Sequence, residues 1–125
     1  MKSVYIIDDS QVMIDLLKNM IELYGDFIVM GATCYAGNIE NHIDELDDVP
    51  DIFIVDLIMP DIDGISLIKK LRDRYPDSLI LVVTAVMDKD IIDDAFNAGA
   101  NDYLMKPFTI KELESKLKSL AGKND

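Results

Sequence analysis

The sequence is short of the features that mark several protein classes. No apolar run in its 125 residues approaches the ~20 needed to cross a bilayer as a helix, so no membrane association is expected. A single cysteine, Cys34, rules out a disulfide framework. The start, Met1-Lys2-Ser3-Val4, runs straight into a short apolar stretch that ends in two aspartates, unlike a secretory signal. A reducing cytoplasm is the expected location. Basic residues are scarce, 12 against 24 acidic, for a formal charge of −12. Such a surface repels phosphate backbones, so direct nucleic-acid binding is not expected. The only histidine, His42, falls on a weakly patterned segment and reads as exposed surface. Cys34 reads as a small buried hydrophobe. Neither is placed to act as a nucleophile, and no internal repeat or linker interrupts the chain.

What is present is an alternation. Half of the residues are hydrophobic, enough for one buried core. Short apolar runs, Val4–Ile7, Phe27–Met30, Ile52–Val55, Leu79–Val83 and Tyr103–Met105, read as strands. Between and after them lie segments of helical spacing. Met13, Leu16, Leu17, Met20 and Tyr24 mark the first helix, with Ile14 off that stripe and expected to be exposed. Ile39, Ile43 and Leu46 mark a short second helix. Ile65, Ile68, Leu71 and Tyr75 outline a third, with Asp63 as its cap and Pro76 as its stop. Asp88 caps a fourth helix carrying Ile91, Ile92, Ala95 and Phe96 on its core side. Thr109 and Glu112 form a capping box for a fifth, with Leu113, Leu117 and Leu120 inward. Strands apolar on both faces demand helices above and below a parallel sheet. The expected fold is therefore α/β, a flavodoxin-like doubly wound sheet of five parallel strands in the order 2-1-3-4-5 with five helices.

In such folds the site lies beyond the carboxyl ends of the strands. The first strand ends in Asp8-Asp9, the third in Asp56, the fourth in Thr84 and the fifth in Lys106-Pro107. With strands one and three adjacent, three carboxylates converge, facing a hydroxyl and an ammonium. Carboxylates so crowded raise one another's pKa unless a cation joins them. Oxygen donors alone suit a hard divalent ion, Mg2+ above all, with Mn2+ as a substitute. A carboxylate beside such an ion can attack phosphorus, and phosphoryl transfer mainly needs positioning and charge neutralisation.

Asp8-Asp9, Val55-Asp56-Leu57-Ile58-Met59-Pro60 with Asp63-Gly64, Thr84-Ala85, Ala98-Gly99-Ala100 and Tyr103-Leu104-Met105-Lys106-Pro107-Phe108 together resemble the receiver domain of two-component response regulators. The resemblance covers nearly the whole chain, residues 1–121 as the domain and 122–125 as a polar tail. It implies that Asp56 is the phosphoacceptor. Asp8, Asp9, Asp56 and the backbone carbonyl of Ile58 would hold the metal. Thr84 and Lys106 would contact the phosphoryl group, with a cis bond between Lys106 and Pro107, and Thr84 and Tyr103 would form the switch. The donor would be a sensor histidine kinase or a histidine phosphotransfer protein, and the readout a downstream protein target or an output domain. Both a stand-alone receiver and a piece of a longer regulator fit, as do a monomer and a phosphorylation-dependent dimer. The chain would catalyse only its own phosphoryl transfer and loss. Ile58 and Val86 depart from relatives with polar residues there, so self-dephosphorylation should be slow.

Three other readings compete. A flavodoxin-type carrier would need a hydroxyl- and glycine-rich loop where Asp8-Asp9-Ser10-Gln11 stands. An aspartate-nucleophile phosphatase would need an acid two residues after Asp56, where Ile58 stands. A degenerate receiver serving as a scaffold would lack some of the five site residues, and all are present.

Overall fold

The computed structural model describes residues 1–37 and 39–123; Asn38, Asn124 and Asp125 lie outside the described residues. Five strand–helix units follow one another: β1 (Lys2–Ile7), α1 (Gln11–Leu23), β2 (Phe27–Thr33), α2 (Ile39–Asp44), β3 (Ile52–Val55), α3 (Gly64–Arg74), β4 (Leu79–Thr84), α4 (Lys89–Ala98), β5 (Asp102–Met105) and α5 (Ile110–Lys123). The strands form one sheet in the order β2-β1-β3-β4-β5, every neighbouring pair parallel. This is the doubly wound arrangement expected from the sequence. The last helix runs on to Lys123, so 122 and 123 are helical rather than tail.

Side chains alternate across each strand, and the two sets feed two cores. Val4, Ile6, Ile52, Ile54, Leu79, Leu81 and Val83 pack with Ile14, Leu17 and Ile21 of α1 and Leu113, Leu117 and Leu120 of α5. Tyr5, Ile7, Phe53, Val55, Ile80 and Val82 pack with α2, α3 and α4 on the other side. Every residue of β3 and β4 is buried. Fully burying each such side chain contributes about 1.5–3 kcal/mol.

The helix starts follow local chemistry. Asp63 caps α3 by accepting from the Ile65 amide, and Asp88 caps α4 by accepting from the Asp90 amide. The Glu112 amide donates to Thr109 Oγ1 while the Thr109 amide donates to Glu112 Oε1, a reciprocal box. Ser10 caps α1 through the Met13 amide.

Two expected faces are corrected. In α1 the buried stripe is Ile14, Leu17 and Ile21; Ile14 is only 2% exposed, while Leu16 faces solvent. Apolar residues cover a broad arc of this helix opposite a polar face of Gln11, Asp15, Lys18, Asn19 and Glu22, so spacing alone does not tell which stripe within that arc meets the sheet. In α4 the buried residues are Ala95 and Ala98, and both Ile91 and Phe96 are exposed. The Phe96 ring instead meets Tyr103 edge to face, with centroids 6.2 Å apart. His42 is exposed, as expected; Cys34 is half-buried, its thiol donating to Gln11 Oε1 at 3.3 Å.

Because Ile14 is core, Ile14→Ala should lower unfolding free energy by about 2–5 kcal/mol, read from urea denaturation followed by circular dichroism. A change within about 0.5 kcal/mol, the size usual for surface substitutions, would place Ile14 outside the core.

Candidate functional site

The sheet order decides what meets. β1 and β3 are paired through Ile7 and Val55, so the residues after them emerge side by side at the carboxyl edge. The ladder continues one step, the Asp56 amide donating to the Ile7 carbonyl at 3.0 Å and the Asp8 amide to the Thr33 carbonyl at 3.2 Å. On the other flank Thr84 pairs with Met105, and the Lys106 amide donates to the Thr84 carbonyl at 2.8 Å. Backbone hydrogen bonds thus fix the stem of each site residue before any side chain is considered.

Carboxylate oxygens of Asp8, Asp9 and Asp56 all lie within 4.8 Å of one another. Asp8 and Asp56 are buried, and Asp9 is exposed at the rim. Lys106 Nζ donates to Asp8 Oδ2 at 2.8 Å and to Asp56 Oδ2 at 3.0 Å. The remaining oxygens of the two buried acids find amides: Asp8 Oδ1 accepts from Ser10 N–H at 2.9 Å and Asp56 Oδ1 from Ile58 N–H at 3.1 Å. Burial pushes the Asp8 carboxyl above its ordinary value. The bonds from Lys106 and the Ser10 amide pull it back only in part, and the Asp56 charge adds to the rise. For Lys106, burial acts downward, but its bonds to Asp8 and Asp56 and their charges win, leaving its pKa raised.

Three carboxylates face one ammonium here, so the cluster is short of positive charge. All its donors are oxygens, close enough to share one ion, and the donor set fits a hard divalent cation such as Mg2+.

The loop after Asp56 is braced. Ile58 forms an isolated antiparallel bridge with Asp63. Gly64 packs so closely that a Cβ there would overlap the backbone of Leu57, which explains glycine at that position. Asp61 Oδ2 accepts from the Gly37 amide at 2.7 Å, a contact that no spacing in the sequence signals. Asp63 caps α3 as expected. Thr84 is fully buried, and its hydroxyl oxygen accepts from the Val86 amide at 3.3 Å. Tyr103 lies one strand over, half-buried against Phe96. The Lys106–Pro107 bond is cis.

A parallel sheet of this order with an acid cluster and a lysine at its carboxyl edge defines a receiver-type module. Residues 4–118 match the response regulator receiver domain family, to which the chain belongs. Receiver domains are signalling switches of two-component systems rather than classical enzymes, and phosphorylation-dependent switching is their general function. The chain is 32% identical over 122 residues to the chemotaxis protein CheY1 of Helicobacter pylori, covering 96% of this chain and 97% of that protein. It is 33% identical over 114 residues to the probable C4-dicarboxylate response regulator DctR of Halalkalibacterium halodurans, covering 91% of this chain and 49% of that one. The chain thus spans about half the length of larger relatives such as DctR. Among solved structures, the receiver domain protein from Methanospirillum hungatei superposes with a TM-score of 0.88 at 26% identity, covering 99% of this chain and 96% of that one. No helix among the described residues is long and apolar enough to cross a membrane.

Folding raises the Asp8 pKa above its ordinary value of 3.8, so the native state keeps a proton there that the unfolded chain releases. Stability from this group is therefore highest at low pH and declines as pH rises through the folded value. In chelator-treated protein, Asp8→Asn should gain on the wild type in urea midpoint as pH rises above 3.8. A constant offset between the two across that range would refute the shift.

Proposed function

We propose that this chain is a phosphorylation-dependent switch that accepts a phosphoryl group on Asp56 from a phosphohistidine of a sensor histidine kinase or phosphotransfer protein. The observation that carries this reading is the setting of Asp56. It is buried at the end of β3, beside Asp8 and Asp9, with Lys106 Nζ already on its Oδ2. Asp56 oxygen attacks phosphorus, a P–O bond forms, and the P–N bond to the donor imidazole breaks, its electron pair staying on the imidazole nitrogen, which takes up a proton. Lys106 follows the charge, its ammonium pairing with a phosphoryl oxygen. Asp8, Asp9, Asp56 and the Ile58 carbonyl would hold Mg2+, or Mn2+, which when bound supplies charge neutralisation at the phosphoryl oxygens.

Thr84 is assigned the first half of the switch. Its hydroxyl can donate to a phosphoryl oxygen, and Val86 N–H ties it to the loop leading into α4. Tyr103 is the second half, lying on the neighbouring strand against Phe96. The α4–β5–α5 face already exposes Ile91 and Phe96, and the loop leading into α4 exposes Met87. A change in that face would control a downstream protein target or an output domain, in the cytoplasm and without direct nucleic-acid contact by this domain. A monomer and a phosphorylation-dependent dimer both satisfy this scheme.

Loss of the phosphoryl group requires water in line with the P–O bond. Ile58 is exposed and Val86 half-buried, and neither side chain can hydrogen-bond such a water. Slow self-dephosphorylation follows.

The donor is assigned to α1, which starts just after Asp9. Ile14, expected to be exposed, is buried and cannot serve; Val12, 79% exposed and three residues after Asp9, and Leu16 present the apolar surface instead.

Acetyl phosphate with Mg2+ should label the wild type, change the Tyr103 environment by NMR, and leave Asp56→Asn unlabelled. Labelling of Asp56→Asn would overturn the assignment, and a phosphoryl half-life of seconds would overturn the slow-loss reading. Val12→Glu should slow transfer from the cognate phosphohistidine donor by about tenfold or more while acetyl phosphate labelling is unchanged. Equal transfer rates would remove α1 as the docking element.

A further inference from the structure

Arg72 lies in the last turn of α3, where a basic side chain would ordinarily meet its own helix end. It reaches much further. Nη1 donates to the carbonyls of Pro76 at 2.9 Å and Ser78 at 2.6 Å. Nε and Nη2 both donate to the Gly99 carbonyl, at 3.2 and 2.7 Å, and Nη2 also donates to Asn101 Oδ1 at 2.7 Å. A guanidinium has five N–H donors, and these contacts use the full set. Every acceptor is neutral, so the geometry serves to hold backbone in place rather than to pair charge. Burial lowers the Arg72 pKa without offering a carboxylate in return.

The segment held is the far end of α4. Gly99 caps that helix at φ +130°, and a Cβ there would press on Arg72 Cβ and Cγ at 2.9 Å. Asn101 extends the clasp into the sheet, its Oδ1 accepting from Ile80 N–H and its own amide donating to the Ile80 carbonyl, both at 2.8 Å. The near end of α4 has no such restraint in its capping chemistry. Asp88 caps it locally, the residues from Met87 to Ile91 are exposed, and Val86 is bonded to Thr84.

We infer that Arg72 is a positioning residue that makes the Gly99 end of α4 a fixed pivot, so that rearrangement at Thr84 swings the near end of the helix instead of shifting the whole of it. This rests on the phosphorylation reading of Thr84 and Asp56. Swinging one end concentrates the change on Met87 and Ile91, while the Gly99 end keeps its place in the fold.

Hydrogen–deuterium exchange on the full chain, with and without beryllofluoride and Mg2+, tests both layers. In the wild type, beryllofluoride should change exchange from Val86 to Asp90 and leave Gly99 to Asn101 unchanged. In Arg72→Lys, whose ammonium has three donors, exchange at Gly99 to Asn101 should rise about tenfold in both states, with beryllofluoride affinity kept within about twofold. Changes of equal size at both ends of α4 in the wild type would overturn the pivot alone. Unchanged exchange at Gly99 to Asn101 in Arg72→Lys would overturn the role of Arg72. No response at either end would overturn the phosphorylation reading and the pivot with it. The wild-type comparison stands even where the variant folds poorly.

Discussion

Everything at the carboxyl edge of this sheet depends on an imbalance of charge: Asp8, Asp9 and Asp56 within 4.8 Å of one another, answered by the single ammonium of Lys106. Buried charges of one sign are costly unless paired and hydrogen-bonded. The fold tolerates the cost because each stem is pinned by a backbone hydrogen bond and each buried carboxylate receives an amide as well as the lysine. The cluster is held in a shape that welcomes more positive charge and, at Asp56, a transferable anionic group. Stability and function pull in opposite directions at this edge, as they often do at sites.

The opposite edge of the sheet shows the contrast. Ser3 donates twice to Asp51 Oδ2, the Asp51 amide returns a bond to Ser3 Oγ, and Ser78 Oγ donates to the Pro50 carbonyl. With Arg72 and Asn101 these bonds lace the amino-terminal ends of the strands together with neutral or well-matched partners. Polar groups are abundant at both edges, but the acid cluster gathers at the carboxyl one.

The fold was legible because β1, β3 and β4 carry near-continuous apolar runs that feed both cores, the pattern of a parallel sheet covered on both faces. The site was legible for the same reason, since each of Asp8, Asp56, Thr84 and Lys106 directly follows or closes an apolar run. What escaped the sequence were matters of rotation and reach. Ile14 and Leu16 lie on opposite borders of a broad apolar arc on α1, and spacing alone does not rank them. Ala95 and Ala98, small enough to sit against the sheet, displaced Ile91 and Phe96 from the core face. The long hydrogen bonds of Arg72 join residues 27 and 29 positions apart, which no local pattern encodes.

The helix caps carry a further consequence. In a sheet of parallel strands each helix must begin at the edge where the preceding strand ends. Ser10, Asp63, Asp88 and Thr109 therefore start α1, α3, α4 and α5 on the same side of the molecule as the acid cluster. The partial positive charge at the start of each peptide ladder gathers around that edge. The winding of the chain itself thus lends the acids an electropositive surround, before any ion or lysine is counted.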